Sequence, residues 1–113
     1  MNWTLSGRAR LDIQIILGAS GDQFGQGAQR RYRLLLEQAI SDVSADPGRA
    51  GVQVGGSREI RLYHTRHARL RTPAKQRVRR PRHVIVFEVR GERLEILRVL
   101  HDAMDVPSHL ADL

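Results

Sequence analysis

Apolar positions recur at two different periods along the chain, and the change of period marks out the elements. Asn2-Trp3-Thr4-Leu5 alternates, as a short first strand at a sheet edge or beside a hairpin does. Ser6 is placed to cap a helix in which Ala9, Asp12, Ile13, Ile16 and Leu17 recur at three-and-four spacing until Gly18–Gly21. Asp22-Gln23-Phe24-Gly25-Gln26-Gly27 reads as a turn anchored in the core by Phe24. A second helix carries the cleanest stripe of the chain: Ala28, Tyr32, Leu35, Leu36, Ala39, Ile40 and Val43, with Arg30, Arg31, Arg33, Glu37 and Gln38 off it. Asp46-Pro47-Gly48 ends that helix, and the stretch to Gly56 has little patterning.

Period two returns at Ser57–His64, with Ile60 and Leu62 on one face and Arg61 and Tyr63 on the other. Thr72–Gln76 reads as an extended loop tip. Two strands, 82–89 and 94–100, follow around Arg90-Gly91-Glu92-Arg93. A two-residue loop at Gly91-Glu92 sets Val89 opposite Leu94, Phe87 opposite Ile96, Val86 opposite Leu97 and Val84 opposite Val99. It also sets Glu88 against Glu95, an unfavourable pair unless Arg90, Arg93 or a partner's base lies beside it. The order is β-α-α-β-β-β, which predicts an α+β fold: two antiparallel helices on one face of a mostly antiparallel sheet, in a single domain spanning 1–113. Both hairpin faces carry apolar residues, so the face away from the helices is expected to await a partner and to leave the isolated chain poorly soluble. The chain closes with Asp105-Val106-Pro107 and a Ser108-capped last turn carrying Leu110.

Charge alters this picture. Nineteen Lys and Arg against twelve Asp and Glu give net +7, and every base but Lys75 is Arg, which makes forked contacts to phosphate and carboxylate. An anionic partner follows. The bases concentrate: between Ile60 and Phe87 there is no acid, but there are Arg61, Arg66, Arg69, Arg71, Lys75, Arg77, Arg79, Arg80 and Arg82. This run is either a contact surface for a target or a solvated loop, and with Tyr63 its only ring it is a poor stacking platform for single strands. The chain has no cysteine and hence no disulfide or thiolate chemistry, which fits a reducing cytoplasm. No run reaches the roughly 18 apolar residues of a membrane span, and no signal peptide is apparent. His64 and His67 would face opposite ways on a strand, so no metal is expected, and the Gly18–Gly27 stretch lacks the context of a phosphate loop, so no cofactor is expected either.

The element order, the turn Gln23-Phe24-Gly25, and Leu97-Arg98-Val99-Leu100-His101-Asp102-Ala103-Met104-Asp105 together resemble the RelE/ParE superfamily of bacterial type II toxins. Tyr63-His64-Thr65-Arg66-His67-Ala68-Arg69 with Arg80-Pro81-Arg82-His83 resembles its ParE branch. The resemblance implies a RelE/ParE-like fold, a cognate ParD-like antitoxin as partner, and DNA gyrase as target, bound without catalysis. On that reading Arg66, Arg69, Arg71, Lys75, Arg77, Arg79, Arg80 and Arg82 bind the target, and Arg61, Val84, Val86, Leu97 and Val99 bind the antitoxin. Resemblance to the RelE branch implies instead a ribosome-dependent, metal-independent endoribonuclease acting on messenger RNA. Its chemistry requires a base, an acid and phosphate clamps. The candidates are His101 as acid, Glu59 or His83 as base, and Arg61 and Arg98 as clamps. Such nucleases carry catalytic Lys/Arg clusters or a Tyr in the last segment, and here the last Tyr is Tyr63. A non-toxic interaction domain on the same fold is the third alternative.

Overall fold

The structure, a computed structural model, describes residues 1–55, 59–111 and 113. Its elements are β1 (Asn2–Leu5), α1 (Gly7–Phe24), α2 (Gln26–Ala45), β2 (Gln53–Gly55), β3 (Ile60–His64), 3₁₀ turns at Thr65–Arg71 and Ala74–Gln76, β4 (His83–Arg90), β5 (Arg93–His101) and α3 (Val106–Leu110). The strands form one sheet in the order β1-β5-β4-β3-β2, antiparallel except for the β1–β5 pair. This is the expected α+β arrangement with two additions. The unpatterned stretch after α2 supplies an edge strand, and one 3₁₀ turn follows β3 at Thr65–Arg71 while a second, at Ala74–Gln76, occupies the end of the expected extended loop tip. The expected strand start at Ser57 and Arg58 lies outside the described residues.

The α1–α2 hairpin turns on one residue. Gly25 adopts φ 90°, ψ 176°, a conformation open to glycine, and ends one helix while starting the next. Its N–H donates to the Gly21 carbonyl at 2.9 Å, and Gln29 N–H donates to its carbonyl at 3.1 Å. The six-residue turn read from composition is therefore mostly helix. Phe24, expected as a core anchor, is 73% exposed, because α1 runs on to that residue and carries it past the sheet.

The hairpin register holds from the turn, where Gly91 has φ 62°, through Val89↔Leu94, Glu88↔Glu95 and Phe87↔Ile96. Arg90 relieves the paired glutamates through its Nε, 2.9 Å from Glu88 Oε1. Beyond Phe87 the register shifts, so Val86 faces Arg98 and Val84 faces Leu100 in place of the expected Leu97 and Val99. Leu97 is the extra residue of a β-bulge. The bulge has a packing purpose: Ile96 and Val99, three apart, both join the helix-covered core, which strict alternation forbids. Ser6 secures it. The Ser6 N–H donates to the Ile96 carbonyl at 2.9 Å and Ser6 Oγ to the Leu97 carbonyl at 2.8 Å, while the same Oγ accepts from Ala9 N–H at 3.0 Å as the α1 cap.

On the helix side, Leu35, Leu36, Ala39, Ile40 and Val43 of α2 and Ala9 of α1 pack against Tyr63, Ile85, Phe87, Leu94, Ile96 and Val99. The opposite face is smaller. Ile60, Val86 and Leu100 are buried there beneath Val106, Leu110 and Leu113, with Leu62 and Leu97 alongside. The outer face expected to lie open is thus partly closed by the chain's own tail, since three apolar side chains suffice to cover three. The tail's last turn is not capped by Ser108; Ser108 Oγ instead donates to Asp105 Oδ2 at 2.6 Å.

Because Ser6 closes the bulge and caps α1 with one oxygen, Ser6→Ala is expected to lower unfolding free energy by about 1–2 kcal/mol. Urea denaturation measures this, and Ser6→Thr, which retains the hydroxyl, is expected to recover most of it.

Candidate functional site

The basic segment divides into cations that hold the protein together and cations that do not. Arg71 is the most committed: its Nε donates to Asp42 Oδ1 at 3.0 Å and its Nη2 to Asp42 Oδ2, the Tyr63 hydroxyl at 3.0 Å and the His67 carbonyl at 2.5 Å. Asp42 is 3% exposed and collects donors from several elements. Gln38 Nε2 lies 2.9 Å from Oδ1, the Tyr63 hydroxyl 2.8 Å from Oδ2, and Arg49 Nη1 3.4 Å from Oδ1. Burial pushes the Asp42 carboxyl up, but hydrogen bonds from Arg71, Gln38 and Tyr63 outweigh it and hold it below the ordinary carboxylate value. Burial and the neighbouring Asp42 push the Tyr63 hydroxyl up to about 12.

Arg69 and Arg77 fasten the loop to itself. Arg69 Nε donates to the Val78 carbonyl at 2.8 Å, and Arg77 donates to the Thr72 carbonyl at 3.2 Å and the Leu70 carbonyl at 3.0 Å. Arg82 pairs with Asp102 at 2.9 Å, and His64 Nε2 meets the other Asp102 oxygen at 3.0 Å. The His64 bond, then Arg82, holds the Asp102 carboxyl below its ordinary value. Arg66, Lys75, Arg79 and Arg80 are exposed, with no side-chain partner among the described residues. Of the expected target-binding residues, these four are available to a partner.

The expected nuclease residues do not converge. Arg98 lies against α1, with Nε 2.8 Å from Asp12 Oδ2 and Nη2 3.1 Å from Asp12 Oδ1. Arg61 donates to the Pro47 carbonyl at 3.1 Å, and Glu59 is exposed in the turn before β3. Only His83 and His101 meet, as a cross-strand pair with ring centroids 5.2 Å apart. The Tyr32 hydroxyl accepts from Arg82 N–H at 3.1 Å and lies 2.5 Å from His83 Nδ1, while Thr65 Oγ1 donates to the His83 carbonyl at 2.9 Å. Burial, then the charge of His101, pushes the His83 imidazole down to about 4.

The expected antitoxin contacts fall on two faces. Val86 and Leu97 lie on the outer face beneath the tail, and Val84 is half-buried. Val99 is enclosed in the helix-side core and Arg61 is turned toward the loop after α2. His67 sits in a 3₁₀ turn, not a strand, with its ring 5.4 Å from that of Tyr63. Among the described residues no group of three or more His, Cys, Asp or Glu could hold a metal ion, and no helix is long and apolar enough to cross a membrane.

Tyr32, Asp42 and Asp102 organise this region, and none was singled out from the sequence as a site residue. Asp42 left a signal, an acid on the buried stripe of α2 between Ala39 and Val43. Asp102 left none, because its partners His64 and Arg82 come from distant segments.

Asp42→Asn is expected to cost about 3 kcal/mol of stability, and Arg71→Gln less, because that guanidinium is 40% exposed and water replaces part of its bonding. Urea denaturation separates the two. His83 contributes a pH dependence of known sign. With its folded value about 4 and its ordinary value 6.5, the unfolded chain binds the extra proton as pH falls through that window, so stability declines from pH 6.5 toward 4. Asp42, with its value lowered, loses its contribution only below the ordinary carboxylate value of 3.8. Unfolding free energy measured between pH 7 and 4.5 is expected to fall in the wild type and to fall less in His83→Gln.

Residues 4–106 match the family described as ParE toxin of type II toxin–antitoxin system, parDE. A sequence search of curated proteins finds no match. Among solved structures, the fold is similar to a chain of the chromosomal ParDE toxin–antitoxin system from P. aeruginosa, with TM-score 0.66, 16% identity, and coverage of 89% of this chain and 95% of that one. A family match running from β1 to the start of α3, on a sheet and helix pair of the same architecture, places this chain in the ParE toxin family of type II toxin–antitoxin systems.

Proposed function

We propose that this ParE-family toxin arrests growth by binding DNA gyrase, with no chemistry of its own, and that a cognate ParD-like antitoxin neutralises it in the cytoplasm. What supports the binding reading is the division of the cations. Arg66, Lys75, Arg79 and Arg80 stand on a loop that Arg69 and Arg77 lock by donating to its carbonyls. A locked loop loses little entropy on docking. The nuclease reading has less to stand on. Its two clamps are occupied, Arg98 by Asp12 and Arg61 by the Pro47 carbonyl, and Tyr63, the last tyrosine of the chain, is buried on Asp42.

For the antitoxin, the uncovered apolar side chains of the first two elements offer a surface distinct from the basic loop. Trp3 on β1 is 45% exposed, and Leu11 and Ile15, one turn apart on α1, are 54% and 61% exposed. An amphipathic antitoxin segment laid along α1 would cover them while leaving β4 and β5 in place. Val86 and Leu97 would join that interface only if the tail moved away.

Purified toxin is expected to slow gyrase supercoiling or to accumulate cleaved DNA–gyrase complexes, and Arg79→Glu with Arg80→Glu is expected to weaken this at least tenfold. Unchanged gyrase activity at saturating toxin would count against the proposal. Expression in a bacterium provides the second arm: DNA breakage with intact transcripts supports gyrase, whereas cut transcripts that disappear in His101→Ala would support the nuclease.

A further inference from the structure

We infer that the loop surface carrying Arg66, Lys75, Arg79 and Arg80 binds the phosphate backbone of duplex DNA directly. The inference rests on the gyrase reading and deepens it, since it makes the DNA held by gyrase the thing these cations touch.

The loop geometry brings the cations onto one compact scaffold. Arg69 and Val78 are joined at 2.8 Å, and Arg77 reaches back to Leu70 and Thr72, so the 3₁₀ turn at Thr65–Arg71 lies beside Arg77 and Val78, the residues that lead directly into Arg79 and Arg80. Three residues per turn place Arg66 on the same side as Arg69, hence toward the strand of chain leading to Arg79 and Arg80. Lys75 projects from the neighbouring 3₁₀ turn.

No carboxylate of the segment competes for these groups. The two acids that bond to side chains of the segment are engaged there: Asp42 is buried on Arg71, Tyr63 and Gln38, and Asp102 is held between His64 and Arg82. Arg71 and Arg82 thus spend their charge on those carboxylates, while Arg66, Lys75, Arg79 and Arg80 face solvent with none.

The chemistry of the surface favours duplex phosphate over the other anionic partners. A protein interface is centred on desolvated aromatic or aliphatic anchors, and Leu70 is the single large apolar residue exposed in this segment among the described residues. Single-stranded nucleic acid requires rings on which bases stack, and the one ring that the segment contributes besides histidine, Tyr63, is fully buried. What remains is a rigid array of guanidinium and ammonium groups, which is the means by which proteins grip a regular line of phosphates without reading sequence.

The test is fluorescence anisotropy of the full chain with a labelled 24-base-pair duplex of arbitrary sequence, in the absence of gyrase, over a range of salt. Binding is expected to weaken with salt with a log–log slope of about −3 to −4, near −0.9 for each phosphate neutralised. Arg79→Gln with Arg80→Gln is expected to reduce that slope by about 2 and to weaken binding about tenfold. The charge-matched pair Arg8→Gln with Arg10→Gln on α1 is expected to leave both nearly unchanged, and circular dichroism checks that each variant is folded. Equal losses from the two pairs would mean that net charge alone attracts the DNA and would overturn the inference. So would equally tight binding to polyglutamate, which would make the surface a site for acidic protein. If the duplex is not bound while Arg79→Gln with Arg80→Gln still weakens gyrase inhibition, the loop touches gyrase itself, and the inference falls while the gyrase reading stands. If the duplex is bound as expected but gyrase is unaffected, the DNA surface stands and the gyrase reading falls.

Discussion

One buried carboxylate joins the two layers on the side of the molecule that carries the loop. Asp42 rises from α2 into the interface with the sheet and receives Tyr63 from β3, Arg71 from the following 3₁₀ turn, Arg49 from the loop after α2, and Gln38 from its own helix. An isolated ionised carboxylate in that position would be prohibitively costly, so the converging donors are a condition of the fold and not an ornament on it. Their convergence also fixes direction. Each donor has few geometries in which it reaches the same two oxygens, and the loop bearing the free cations inherits its orientation from Arg71.

A second carboxylate does similar work at the other end of the sheet. Asp12 of α1 takes both the Arg98 guanidinium and the Val99 N–H at 2.9 Å, just past the bulge at Leu97. The bulge resets the alternation of β5, so that residues before and after it face the same core, and Asp12 with Ser6 satisfies the backbone groups that the irregularity frees. Helices α1 and α2 are therefore each tied down by a carboxylate, Asp12 holding Arg98 and Asp42 holding Arg71, Arg49 and the Tyr63 hydroxyl. The surplus of arginine has two purposes: part of it is internal mortar, and what is left over forms the outward charge.

Much of this architecture was legible in the residues. The stripe from Ala28 to Val43, the Ser6 cap and the hairpin about Gly91 all appear where local patterning places them, because each depends on neighbours a few positions away. Departures occurred where a distant segment decided the outcome. Gln53–Gly55 becomes a strand because Ile60–Leu62 offers it a ladder, and Leu97 becomes a bulge because Ser6 waits across 91 residues to take its carbonyl. The basic run reads as one block in sequence, since nothing in a string of arginines reveals which ones will find a carbonyl or a buried acid. Among the candidate catalytic residues, the unbroken register sets His83 opposite Leu100; the bulge at Leu97 is what brings it to His101, and nothing in the spacing shows that Asp12 claims Arg98.

The parallel pairing of β1 with β5 carries a consequence for the order in which the molecule can be assembled. Among the described residues Asn2–Leu5 finds its only strand neighbour in Arg93–Ile96, so β1 has nothing to pair with until nearly the whole sheet has followed it. Asp12 likewise lacks Arg98, and the α1 cap lacks its second bond, until the same late segment arrives. Closing so large a loop is slow relative to forming the helical hairpin. A growing chain would therefore hold a finished α1–α2 pair with its apolar stripe uncovered while it waits for the hairpin, and β5 is the latch whose arrival converts those local pieces into a sheet.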